Sequence, residues 1–153
     1  MAYSGRYTLQ NPAKYLGKKP NEIIWRSTWE LKMFKWLDTC DAVIGWMSEE
    51  IRIWYRSPID GRKHRYYPDI FMKIRNSSGE IKQYLIEIKP HKEMLYAEQI
   101  VIPKHKRKTR RALQESMTAA VNYAKWQAAR EAVKGTGIEF RVLTEKDLFG
   151  NPK

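Results

Sequence analysis

Three charged residues interrupt the most apolar part of the sequence. Asp69 opens the run "DIFMKI", and Glu87 and Lys89 break "YLIEIKP". Charged side chains rarely sit among apolar ones without partners, so these three either face solvent or have a task. In a strand, residues two apart share a face. Glu87 and Lys89 therefore point together, opposite Ile86 and Ile88, and Asp69 shares a face with Phe71. The turn "NSSG" at 76–79 folds the two runs into a hairpin. Its open end brings Asp69 near Glu87. Two carboxylates at cross-strand distance repel each other unless a cation lies between them. Mg²⁺ suits such a pair, being a hard ion that takes oxygen ligands, and Mn²⁺ is expected to substitute for it. Lys89 on the same face would offset charge on a phosphate or orient an attacking water. The competing reading is an exposed polar hairpin face, which shows the same alternation.

The elements that must hold these residues follow from periodicity. Trp29, Met33, Trp36 and Leu37 fall at helical spacing and predict a helix from about Thr28 to Asp38, with Ser27 and Glu30 as a capping box. "AVIGW" and "IRIWYR" predict a strand pair, or one bent strand broken at Gly45, ended by the turn "SPIDGRK". After the hairpin, residues 91–106 read as a long irregular loop. A long helix is expected from about Thr109 to Val133, with Leu113, Met117, Ala120, Val121, Ala124 and Ala128 as its apolar stripe and "KGTG" as its stop. "IEFRVL" is a further strand and "TEKDLFG" a short closing helix. The order is helix, three strands, helix, strand, which predicts an α/β fold with a mixed sheet flanked by helices. Residues 1–22 read as a basic N-terminal arm rather than a core element, and 23–153 as a single domain.

Charge narrows the partners. The 153 residues carry 29 Lys and Arg against 17 Asp and Glu, a net charge of +12. Such a field favours polyanions, nucleic acid first; no amphipathic basic helix argues for a membrane surface. The run "PKHKRKTRR" places Lys104, Lys106, Arg107, Lys108, Arg110 and Arg111 at the start of the long helix. The helix dipole disfavours cations there, and contact with phosphates would offset that cost. Arg62, Lys63, His64 and Arg65 lead directly into Asp69 and would grip the scissile strand; a phosphate contact or a surface position suits His64 better than a general-base role. Lys14, Tyr15, Lys18 and Lys19 would suit DNA or a protein partner. Glu49 and Glu50, just before a strand, are further candidates for the acidic site, but solvated charge suits them better. The single cysteine, Cys40, allows neither an intrachain disulfide nor a cysteine-type zinc site and is expected at a helix end, half-buried. No run of eighteen apolar residues is present, and the N-terminus lacks the apolar centre of a signal peptide. A soluble protein of a reducing compartment is expected.

Pro68-Asp69 followed by Glu87-Ile88-Lys89 resembles the PD-(D/E)xK nuclease signature. That superfamily's restriction-endonuclease-like core, α-β-β-β-α-β, has the order read above. "WRSTWE" at 25–30 is similar to the head of the first helix in the branch that includes a transposon end-cleaving subunit. There a glutamate on that helix completes the metal site, which implies Glu30 as a ligand beside Asp69 and Glu87; Ile88 is counted as a further metal contact. "NPAKYLG", "WRSTWE", "RYYPDIFMKI", "YLIEIKP" and "FRVLTE" together resemble the head completion proteins of large contractile-tailed phages, over most of the chain. The resemblance implies a Mg²⁺-dependent endonuclease acting on double-stranded DNA after packaging. It also implies head or portal proteins as partners, in the host cytoplasm or the virion head. The alternatives are a structural head protein that binds DNA or the portal without cutting, and a Holliday-junction-type resolvase.

Overall fold

The structure, a computed structural model of the chain, describes residues 4–99 and 109–149. In chain order the strands are β1 (Gly5–Arg6), β2 (Ile24–Trp25), β3 (Val43–Ser48), β4 (Ile53–Arg56), β5 (Lys63–Tyr66), β6 (Ile70–Arg75), β7 (Ile81–Ile88) and β8 (Ile138–Leu143). The helices are α1 (Thr28–Thr39), α2 (His91–Ala97), α3 (Arg110–Val133) and α4 (Glu145–Phe149). The central sheet has the order β3-β6-β7-β8. Its first three strands are antiparallel, and β8 lies parallel to β7. A parallel neighbour needs a crossover, which α2 and α3 supply.

Strand β7 shows why the sheet is a middle layer. Leu85, Ile86, Glu87 and Ile88 are all buried, as expected of a strand covered on both sides. Ile86 and Ile88 join Met33, Phe34 and Leu37 of α1. Leu85 joins Phe71, Phe140 and the α3 residues Trp126 and Ala129. Strand alternation thus turns Glu87 to the α3 side, with Leu85.

Helix α1 begins where the Ser27 hydroxyl accepts from the Glu30 N–H at 3.1 Å, satisfying one of the orphan donors of its first turn. It ends at Cys40, a half-buried C-cap whose N–H donates to Trp36 O. Phe34 is fully buried while Trp36 is 40% exposed, so the inner face is rotated from the expected one. Phe34 wins because its ring packs on Trp46 of β3, centroids 5.4 Å apart.

The expected apolar stripe of α3 is also displaced. Leu113 and Ala120 are exposed, and the buried residues are Ala112, Asn122, Trp126 and Ala129. The inner face carries polar Asn122, so apolar periodicity alone points to the wrong side. Thr109 caps this helix, its hydroxyl accepting from Ala112 N–H at 3.0 Å.

"AVIGW" and "IRIWYR" do not pair with each other. β3 pairs with β6, with a bulge between Val43 and Gly45, while β4 pairs with β5 as a separate hairpin. Gly45 lets the Leu16 side chain pack closely on β3: a Cβ there would come within 2.7 Å of it. The stretch after β7 is not an irregular loop throughout, since His91–Ala97 is helical. A helix this short is marginal alone; Ala97 buries it against the core, and Glu98 just beyond it pairs with Arg130 of α3.

The N-terminal segment does more than an arm would. Tyr7 is in the core, and its hydroxyl donates to buried Asp38 at 2.7 Å. Gln10 and Asn11 N–H groups complete that carboxylate's partners, as a buried charge demands. Lys14 Nζ donates to Cys40 O, Tyr15 Oη to Glu50 Oε2, and Lys18 N–H to Glu50 Oε1. Lys14, Tyr15 and Glu50 therefore serve to fasten this segment, and Glu50 is not a solvated charge.

Candidate active site

Three backbone arrangements converge at one end of the sheet. Asp69 lies one residue before β6, whose first residue, Ile70, pairs with Ser48 on one side and Ile86 on the other. Asp69 therefore falls between Glu49 and Glu87. Its carbonyl accepts from Glu49 N–H at 3.1 Å, and its Oδ2 accepts from Ile88 N–H at 2.7 Å. Glu30 reaches the same point from the first turn of α1, where its Oε2 accepts from Arg26 N–H at 3.0 Å.

Glu30, Glu49 and Asp69 each offer a ligand atom, all within 4.8 Å of one another. Glu49 was expected to be solvated charge, and the structure corrects this. It is half-buried, its φ is 53°, and its carboxylate pairs with Arg26. A left-handed backbone costs a residue with a Cβ about 1–2 kcal/mol, and the strand's departure at Glu49 coincides with the meeting of the acids. The group has no His or Cys member. An all-carboxylate donor set fits a hard divalent cation and disfavours a soft one.

The electrostatics share one leading cause, burial of titratable groups away from water. Burial, then the Glu87 charge, pushes the Asp69 carboxyl well above its ordinary range. Glu87 is raised by burial, although Lys89 pulls it the other way. Burial and then the Asp69 charge raise Glu30. Tyr66 at the end of β5 is raised first by burial and then by Glu87. Lys125 of α3 is lowered by burial while Glu87 opposes the shift.

Other expected residues fall elsewhere. His64 Nε2 bonds Asp60 at 2.8 Å and its ring lies against Tyr55, so it holds the β4–β5 turn. Arg62 lies in that turn, its N–H donating to Asp60 Oδ1. Lys63 and Arg65 are exposed, opposite Arg56 and Trp54 in the hairpin register. Arg110 and Arg111 are exposed on the first turn of α3, with Arg111 paired to Glu115. Lys104, Lys106, Arg107 and Lys108 lie outside the described residues. Tyr66 and Lys125 are not among the residues the sequence singles out, and Glu49 is there only a secondary candidate. Sheet order decides for Glu49, which is strand neighbour to Asp69; Lys125 is visible only once the inner face of α3 is known.

A sheet end bearing clustered carboxylates and a lysine, braced by a capped helix, is the arrangement of a restriction-endonuclease-like hydrolase. Residues 40–145 match the family described as TnsA-like endonuclease N terminal, and the chain belongs to that endonuclease family. It is also 42% identical over 150 residues to the head completion nuclease of Enterobacteria phage T4, covering 97% of this chain and 95% of that protein. No solved structure matches the chain.

Proposed function

We propose that this chain is a Mg²⁺-dependent endodeoxyribonuclease that processes double-stranded DNA during phage head completion, after packaging. The observation that carries the metal dependence is the convergence of Glu30, Glu49 and Asp69, with ligand atoms within 4.8 Å of one another, beside Glu87. The likeness to a head completion nuclease over nearly the whole chain supports the setting. In this reading Asp69 and Glu87 hold the cation, Glu30 and Glu49 complete its carboxylate shell, and Mn²⁺ substitutes for Mg²⁺. Ile88 would contribute through its carbonyl, because its N–H is engaged by Asp69 and its side chain is buried. A bound cation supplies an acidified water and neutralises charge on the phosphate. The chain's own residues do the rest. Lys89 follows Glu87 on the same face and offers its ammonium to a non-bridging phosphate oxygen. The Ile88 N–H fixes the Asp69 carboxylate, so its free oxygen faces the site without a search through rotamers. The exposed cations Arg56, Lys63 and Arg65 hold the duplex by its phosphates. Head or portal proteins are the expected partners, with action in the host cytoplasm or at the head.

Supercoiled plasmid incubated with the protein separates this reading from a purely structural one. Nicked or linear product with Mg²⁺ and none with EDTA is expected. Binding without any cleavage in Mg²⁺ or Mn²⁺ would leave a structural head protein, and cleavage confined to four-way junctions would favour a resolvase.

A further inference from the structure

Lys89 borders a second feature. A cavity of about 360 Å³ lies between the β4–β5 turn and α3, lined by Ile59, Lys89, Gln114, Thr118, Asn122 and Lys125 among others. Among the described residues, no acidic side chain lines it. Two ammonium groups thus share one open pocket, in a protein that elsewhere matches many of its cations with acids.

The pocket's polar residues are arranged along one face of a helix. Gln114, Thr118, Asn122 and Lys125 are four, four and three residues apart, so they stack on one side of α3. Gln114 Nε2 donates to Thr118 Oγ1 at 3.5 Å, a long contact. Asn122 is 3% exposed, yet its Nδ2 has no hydrogen-bond partner among the described residues. A buried donor without a partner costs about 1–3 kcal/mol, and it is rare enough to require an explanation. The Lys125 ammonium lies at the pocket's edge over Tyr66 and Tyr55, 5.5 and 5.7 Å from the ring centroids, a cation–π contact that limits its range.

We infer that this pocket is a phosphate subsite, in which Lys125 and the Asn122 amide receive, on the strand being cut, the backbone phosphodiester adjacent to the scissile one, with Lys89 between the two phosphates. Two ammonium groups, no acid among the described lining residues, and an Asn122 amide N–H without an acceptor describe an anion site. The anion it fits is set by what adjoins it: Lys89 stands between the pocket and Glu87, so a strand lying across the acids continues into it. The inference rests on the nuclease reading of the acidic cluster for the identity of its ligand.

Metal-free binding tests it apart from that reading, because EDTA removes cleavage and leaves affinity measurable. The probe is a fluorescent duplex titrated in EDTA over a salt series. Lys125→Met should weaken binding about tenfold, the loss of one charge-assisted contact, and lower the salt slope by about 0.9 for one phosphate. Lys125→Arg should restore most of both. Asn122→Ala should weaken binding without changing the salt slope, since an amide releases no counterion. A merely structural Lys125, acting as counter-charge to buried Glu87, predicts something different: in a Glu87→Gln background Lys125→Met would then have no effect on affinity or slope. That result, or an unchanged slope in the wild-type background, would overturn the subsite. Wild-type protein that binds this way but never cuts would overturn the nuclease reading alone.

Discussion

The N–H of Ile88 donates to Asp69 Oδ2 at 2.7 Å, and this one hydrogen bond ties the two halves of the acidic motif together. It fixes which carboxylate oxygen is spoken for and which is left. Asp69→Asn keeps an oxygen to accept from Ile88, whereas Asp69→Ala removes it. Asp69→Asn should therefore fold at least as stably as wild type, and Asp69→Ala should lose about 1–3 kcal/mol through the orphaned N–H. Urea titrations of the two variants check this ordering; equal stability of both would mean that the bond contributes nothing.

Metal-free stability should fall as pH rises. The carboxyls of Asp69, Glu87 and Glu30 are all raised in the folded state. Above the ordinary values, 3.8 for Asp and 4.5 for Glu, the unfolded chain holds fewer protons than the folded one, so unfolding is progressively favoured until the raised values are passed. The Tm difference between Asp69→Asn and wild type in EDTA should grow in the variant's favour over that window. Mg²⁺ should narrow it by stabilising only the wild type. A difference that stays constant with pH would contradict the crowding of these acids.

In the proposed site, Glu30 has two tasks that substitution can separate. Its N–H bonds the Ser27 hydroxyl at 3.1 Å, and its carboxylate meets Asp69 and Glu49. Ser27→Ala should cost about 1 kcal/mol of stability and leave the cleavage rate near wild type below the melting point. Glu30→Gln should fold normally, still accept from Arg26 N–H, and require more Mg²⁺. Full activity of Glu30→Gln at low Mg²⁺ would return Glu30 to a capping role.

Much of the site was legible because its logic is local. Strand alternation and a turn fix the relation of Asp69 to Glu87 within thirty residues of chain, and Ser27 with Glu30 marks a helix start in four. What stayed hidden depends on sheet order and on polar burial. Glu49 meets Asp69 only because β3, not β4, pairs with β6, and no turn signal between them announces that. The inner face of α3 was misread because Asn122 and Lys125 occupy positions where a purely structural helix would carry apolar side chains. Tyr7 entered the core from a segment too polar to advertise it, and Asp38, its partner, looks like an ordinary surface charge in sequence.

The outer face of the β4–β5 hairpin should act in binding. Trp54 is 49% exposed, with Arg52 and Arg65 guanidinium groups 5.3 and 6.0 Å from its ring centroid. Lys63→Ala with Arg65→Ala should weaken duplex binding and flatten its salt dependence by up to about 0.9 log units per lost phosphate contact. His64→Ala, which loses the Asp60 pairing in the turn and the ring contact with Tyr55, should leave the slope unchanged. An unaltered slope in the double variant would mean that this face meets a protein or solvent instead.

The central claim is that the clustered carboxylates hold a divalent cation for phosphodiester cleavage. Its most direct measurement is cleavage of supercoiled plasmid by wild type and Asp69→Asn across a Mg²⁺ series, with duplex affinity measured in EDTA on the same preparations. Wild type should cut only with metal, and Asp69→Asn should not cut while binding duplex within a few-fold of wild type. Cleavage by Asp69→Asn at the wild-type rate, or cleavage by wild type in EDTA, would contradict it.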